Sequence, residues 1–419
     1  MEFMESADDP VLIDLLNQLV REAGPHFVHY AEFRADFSAR EHSEWLSRQP
    51  SDMLLQNMQK SVQQALWKHR LFGCEKSKFF ADKQLVLSPT YQSFNLLKVS
   101  YERGPAAAVA WLHKVWATTY ADVRYVVEVH GLSVNKAEHL SNGVTLVPLN
   151  EIPDSPQVRR LLAQYPRYLL PFARPFFPPI GAILEVHRVE ASESRNGVNN
   201  RNAGRSEVLE NTVAAFSLVG DASPVIGVAW VEFIDEDLAL AEFGEKWSTS
   251  RHESDLAGHA PTPLAIDEDG IGWVERYIQL SSDVKCGVDV ALERLALARR
   301  RSFPGNKAIE AAICLEALLG GEGNQELTYR LRLRAALLLA EGVKERAEIS
   351  HAVRDLYDLR SKTVHGIVPS PKSLTRDHTR AERGVAICAG SVRAIVKLGR
   401  RYEPEEWELS GGHPRRIAD

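Results

Sequence analysis

Cysteine is scarce in these 419 residues: Cys74, Cys286, Cys314 and Cys388 are all there is, and no two stand in a Cys-x2-Cys spacing. That scatter argues against a zinc ribbon and against a disulfide framework, and predicts reduced thiols. Cys314 and Cys388 fall in apolar helical patterns, where a thiol packs as a small core residue. Also missing is any apolar run of the roughly eighteen residues a membrane span needs. The opening Met-Glu-Phe-Met-Glu-Ser lacks a basic region followed by an apolar one. The expectation is therefore a cytoplasmic protein with neither signal peptide nor membrane span. No Gly-rich phosphate loop, Gly-x-Ser-x-Gly elbow, His-Glu-x-x-His pair or internal repeat occurs, so no cofactor or metal is expected.

What is present is ordinary globular composition: 25% charged and 44% hydrophobic residues, in a chain long enough for two or three domains. The net charge of -6 is unevenly spread. From Arg276 onward there are 25 Lys and Arg against 19 Asp and Glu, a balance of +6, which leaves -12 for residues 1–275. A basic C-terminal part suits a polyanion, although a salt-bridged bundle surface has the same composition.

Val11 to Ala23 reads as an amphipathic helix after the Asp8-Asp9-Pro10 start, and Met53 to Leu71 as a second. Between them, His26 and His29 lack the further ligands that a metal site requires. Leu85 to Tyr101 alternates weakly and suggests one or two strands, whereas Gly104 to Thr118 suggests a helix. Val123 to Val129 is the clearest strand, with Val144 to Leu149, after the Asn142-Gly143 turn, as its companion. A short helix starts at Asp154. The Pro-rich and aromatic stretch 165–179 reads as an extended, packed connection. Gly181 to Val189 and Val225 to Ile234 read as strands, the latter central because it is nearly all apolar, and Leu209 to Leu218 as a helix. The loop over 192–206 carries Arg195, Arg201 and Arg205, and 248–270 reads as an interdomain linker. Acidic clusters at 235–237 and 267–269 match no calcium-loop spacing.

From Ile271 the pattern is helical throughout: Tyr277 to Arg301, Asn306 to Leu319, Glu326 to Ala340, Glu345 to Val364 and Thr375 to Leu398. The fold class expected is α+β. A mixed α/β region covers 1–270, divisible near 166–206; an all-α bundle covers 271–400, and 401–419 form a tail. Within the bundle, Leu356 to Gly366 reads Leu-Tyr-Asp-Leu-Arg-Ser-Lys-Thr-Val-His-Gly. The core stripe Ile349, Val353, Leu356 leads directly into Arg360. An unpaired buried guanidinium costs several kcal/mol, so Arg360 needs either a carboxylate such as Glu316 or Asp358, or a pocket at an interface. On one helix, Arg360 and His365 point about 140° apart with a rise of about 7.5 Å. Two arrangements bring them together: a helix that ends near Val364 with Gly366 as left-handed cap, or two copies meeting across a dimer axis.

This Arg-x4-His element, with Ala308 to Gly320 and Glu326 to Leu339 upstream, resembles the HEPN domain, and within it the Apea-like branch. The resemblance covers about a third of the chain, roughly 275–400. It implies a helical bundle, commonly a homodimer, and a metal-independent ribonuclease of toxin or anti-phage defence systems with Arg360 and His365 as catalytic residues. An imidazole, which ordinarily titrates at about 6.5, takes the proton from a ribose 2′-hydroxyl, and a guanidinium stabilises the charge that builds on phosphorus. Ser361, Lys362, Arg354, Arg330 and Arg334 are the expected RNA contacts. Residues 1–270 are expected to sense a trigger, of phage origin, or to bind a partner and restrain the bundle. The alternative is a HEPN-like module that only binds RNA or dimerises, with Arg360 and His365 in structural roles.

Overall fold

A computed structural model describes residues 9–23, 51–69, 77–81, 85–87, 93–155, 157–158, 181–194, 206–241, 248–249, 263–321, 326–367 and 370–401. His26, His29, Cys74, the stretch 165–179, Arg195, Arg201, Arg205, 250–262 and the tail beyond Arg401 lie outside the described residues.

Helix α1 (Pro10–Ala23) starts as its sequence predicts, with Asp9 Oδ1 accepting from the Leu12 N–H at 3.1 Å. Its buried Leu12, Leu16 and Leu19 pack toward α2 (Ser51–Lys68), α3 (Ser93–Arg103) and α4 (Pro105–Ala117). Of the stretch 85–101, expected to supply one or two strands, the described residues hold one, β2 (Leu85–Leu87), which pairs antiparallel with β1 (Ser77–Phe80); from Ser93 onward helix α3 replaces the expected strand. Two serines conceal the helical period of α3: Ser93 and Ser100 are buried beside Leu96 and Leu97, and Ser100 Oγ donates back to the Leu96 carbonyl at 2.6 Å.

The sheet is built on β3 (Tyr120–His130). After it come β4 (Leu132–Ser133), β5 (Glu138–His139), β6 (Thr145–Pro148), β7 (Gly181–Glu190) and β8 (Ser192–Ser194). Then follow α5 (Glu207–Ala215), β9 (Val225–Phe233), α6 (Glu236–Ala241), β10 (Ser248–Thr249) and β11 (Leu264–Ala265). The order is β10-β9-β3-β7-β6-β5, with every neighbouring pair antiparallel. The expected companion β6 therefore pairs with β7 and not with β3, and β9 lies between β3 and the two-residue β10. Strand β8, in the expected 192–206 loop, pairs with β1, while β11 pairs parallel with β4.

Both faces of β3 are covered. Val123, Val127 and Val129 join the main core, whereas Val126 packs with Val147, Leu184 and Trp230 on the opposite side. That second face also buries ions. Arg124 Nη1 and Trp230 Nε1 each donate to the Glu232 carboxylate at 2.9 Å, and burial raises the Glu232 pKa against those bonds and one from Ser155.

The bundle comprises α7 (Glu268–Ile278), α8 (Ser282–Arg300), α9 (Pro304–Leu319), α10 (Leu327–Leu339), α11 (Val343–Val364) and α12 (Pro371–Leu398). The helix expected over 277–301 is two helices, interrupted at 279–281 with Ser281 at the N-cap of α8. Helix α9 touches α8, α10, α11 and α12 and is the axis of the bundle. Cys314 and Cys388 are fully buried in it.

Bundle and sheet share one continuous core, bridged by α5 and the tight 3-10 turn Phe216–Leu218. The segment 216–224 is held by three arginines. Arg299 donates to the carbonyls of Ser217, Gly220 and Ala222, Arg300 to that of Pro224, and Arg393 to those of Leu218 and Gly220. Among the described residues no helix is long and apolar enough to cross a membrane.

Close approach of α11 and α12 depends on Gly384. A Cβ there would lie 2.5 Å from Leu356 Cδ1, and Leu356 is fully buried. Gly384→Ala is therefore expected to lower unfolding stability by about 1–3 kcal/mol in urea denaturation, although alanine is the better helix former. A stabilised variant would contradict that packing.

Candidate functional site

Helix α11 owes its orientation to one buried face. Ala352, Val353, Leu356, Tyr357 and Leu359 pack inward, while His351, Arg354, Asp358, Ser361 and His365 stay at the surface or its edge. These last five are spaced three and four apart, so they line up as one outward stripe. Arg360 lies at the edge of the buried face, as its place after the core stripe predicts.

The chain leaves the helix at Val364 through the glycine cap. His365 is the capping residue, and Gly366 adopts φ 70. The Gly366 N–H reaches the Thr363 carbonyl at 3.0 Å, and the Ile367 N–H reaches the Lys362 carbonyl at 2.9 Å. This pair of bonds is the Schellman motif, and it satisfies two carbonyls that the helix end would leave open. A Cβ at Gly305, in the first turn of α9, would come within 2.1 Å of Thr363 Oγ1, so the helix end is seated closely on α9.

Arg360 keeps 39% of its side chain exposed. Its guanidinium lies back over the ring of Tyr357, 5.7 Å from the centroid, and Nη2 stands 3.9 Å from Glu316 Oε1. Glu316 is engaged more closely by Tyr357, whose Oη donates to it at 2.8 Å. Burial, followed by the nearby Glu316 charge, pushes the Tyr357 pKa well up, so the phenol stays protonated and remains a donor. Arg360 is thus steered by a carboxylate and a ring without being locked to either, and its Nε is buried without an acceptor. Of the two carboxylates that the sequence offers Arg360, Glu316 and Asp358, the fold brings up Glu316; Tyr357, a ring three positions before the guanidinium on the same helix, is a further contact.

Helical side chains slant toward the N-terminus of their helix. Arg360 therefore points back along α11, whereas the exposed His365 sits past its last turn. Helix geometry sets the two side chains about 140° apart around α11 in one copy of the chain.

The expected RNA contacts divide. Ser361 and Lys362 are exposed beside His365. Arg354 is half exposed and near Asp355, at 3.5 Å. Arg330 is half-buried on α10. Arg334 corrects the expectation: only 5% exposed, it donates from Nη1 to the carbonyls of Leu319 at 2.6 Å and Gly320 at 2.9 Å. It caps the C-terminus of α9 and is not available to a ligand at the surface.

A second polar group went unnoticed in the sequence. Glu128 and His130 are buried on β3, 3.1 Å apart, in a space that only Gly227 leaves open, since a Cβ there would meet Glu128 Oε1 at 2.0 Å. The signal was the i, i+2 spacing, which puts both on one face of a strand. Among the described residues, no three His, Cys, Asp or Glu side chains are grouped to hold a metal ion.

Arg334→Ala is expected to cost about 2–3 kcal/mol of stability, because two helix-end carbonyls lose a charged donor. Arg354→Ala should stay within about 0.5 kcal/mol of the parent in the same thermal melts. Equal losses from the two would contradict the division of roles drawn here. No protein-family model matches the chain, and no curated protein and no solved structure matches it.

Proposed function

We propose that the C-terminal bundle is a metal-independent endoribonuclease of the HEPN type that its motif resembles, serving as a toxin or anti-phage defence effector. The observation that carries this reading is a guanidinium and an imidazole at the end of α11, neither held by a hydrogen bond among the described residues, with Ser361 and Lys362 exposed between them. Because Arg360 and His365 diverge in one copy, the working site is formed by two, the Arg360 of one beside the His365 of the other. Phe303, Val364, Ile367 and Leu374 are exposed apolar side chains on the elements around this helix end, and they suit a surface that a second copy covers.

In that site His365 takes the proton from the ribose 2′-hydroxyl, and the 2′-oxygen attacks the adjacent phosphorus. Arg360 stabilises the added negative charge, and the same His365, now protonated, gives its proton to the departing 5′-oxygen. The products are a 2′,3′-cyclic phosphate and a 5′-hydroxyl, and DNA, lacking the attacking group, is left intact. Ser361 donates to the phosphate, while Lys362 and Arg354 hold flanking phosphates. The region before the bundle acts as the sensor of a trigger or partner, and the three-arginine grip on 216–224 is the means by which it would restrain the bundle.

One observation favours the competing, non-catalytic reading: Glu316 and Tyr357 give Arg360 a structural place. A single experiment separates the two. Total RNA is incubated with the protein in EDTA; the parent is expected to cut, and Arg360→Ala to lose about 100-fold or more in rate. His365→Ala should lose about 100- to 10,000-fold. Chelator-resistant cutting that survives both substitutions would sink the catalytic assignment, and bound but uncut RNA would support the binding module.

A further inference from the structure

Where the bundle meets the 216–224 segment there is a cleft of about 420 Å³. Its wall is drawn from four places: Asp221 of that segment, Arg299 at the last turn of α8, Lys307 in the first turn of α9, and Glu382, Val385 and Ala389 along α12. None of these residues belongs to the Arg360 and His365 constellation.

The charges of this cleft are unevenly settled. Arg299 donates to three main-chain carbonyls, but among the described residues no carboxylate stands within ion-pair distance of it and its buried Nε has no acceptor. Three of its five N–H donors go to those carbonyls, which leaves one on Nη2 besides the buried Nε. Burial lowers the Arg299 pKa to about 10, with Asp221 opposing the shift and Arg393 adding to it. The cation stays charged near neutral pH but is poorly solvated, and an anion beside it would offset that desolvation.

Lys307 is the second cation, with only 8% of its side chain exposed. Its Nζ donates to Glu382 Oε1 at 2.6 Å, but Glu382 is 59% exposed, so that carboxylate can swing into water when another anion takes its place. Lys307 also lies in the first turn of α9, where Pro304 opens the helix and the dipole favours negative charge. Val385, Ala386 and Ala389 add small apolar side chains to the lining of the cleft.

We propose that this cleft binds a small phosphate ester of mononucleotide size, its phosphate between Arg299 and Lys307 and its flat body against the Val385 to Ala389 face of α12. Such a ligand touches the 216–224 segment and the bundle together, so it strengthens their contact. Asp221 is placed to accept from hydroxyl groups of the ligand. The site stands apart from the ribonuclease reading, because its test measures binding and not RNA cutting.

The full chain is titrated by calorimetry with adenosine 5′-monophosphate, inorganic phosphate and adenosine, and each mixture is melted. The nucleotide is expected to bind and to raise the melting temperature, phosphate to bind more weakly, and adenosine not to register. Lys307→Gln should weaken nucleotide binding about tenfold or more, since a charge-assisted bond is lost. Glu382→Gln, which frees the Lys307 ammonium, should tighten it several-fold; as an exposed side chain it can be changed without loss of the fold. No heat from nucleotide or phosphate up to about 10 mM would overturn the proposal. So would weaker binding by Glu382→Gln, the mark of a cationic ligand.

Discussion

Guanidinium groups bonded to main-chain carbonyls hold this protein in one piece. Residues 216–224 leave a short helix through a tight turn in which the carbonyls of Phe216 and Val219 accept from the N–H groups of Val219 and Ala222, while the others need donors from outside. Arg299, Arg300 and Arg393 supply the missing donors from two bundle helices, reaching Ser217, Leu218, Gly220, Ala222 and Pro224. Strand β9 begins at the end of this segment, so fixing it fixes the sheet relative to α8 and α12. Ser223 Oγ returns a bond to the Ala296 carbonyl, and the apolar core runs through the same junction without a break. A bundle stripped of residues 1–270 would uncover those buried faces, so truncation is a harsh way to ask what the preceding region does.

The same chemistry changes how the basic balance of the C-terminal third is understood. Much of it serves structure: Arg334 caps α9, Arg346 reaches the Ala340 carbonyl, Arg401 that of Asp283, and Arg294 and Arg301 flank Glu310. Charge counted along the sequence cannot separate an arginine bound to a carbonyl from one facing water, because the two differ only in what the fold places nearby. Arg360, Lys362 and Arg354 remain at the surface, on one helix and near its end.

Local chemistry was legible in the residues themselves. Pro10 after Asp9, and Gly366 after His365, announce a helix start and stop because capping involves only neighbours in sequence. What failed depended on distant partners or on polar residues in apolar places. The buried Ser93 and Ser100 broke the stripe of α3. Ser281 stands at the start of α8 amid a longer apolar pattern that hides the break. The partner of β6 is strand β7, more than thirty positions on, and the role of Arg334 lies in carbonyls of another helix. At the site, the positions of Arg360 and His365 were legible, as was Glu316; the backward slant of Arg360 over Tyr357 was not, since it follows from which neighbours are buried.

That slant is the hinge of the proposed function: one copy presents its guanidinium along α11 and its imidazole at the helix end, so the proposed chemistry calls for a partner copy. Mixing purified Arg360→Ala with purified His365→Ala, each inactive alone, tests this most directly. Subunits that exchange would form pairs with one intact arginine facing one intact histidine, and RNA cutting should return in part. A mixture as inactive as its components, beside an active parent treated alike and shown to exchange subunits, would contradict the shared site.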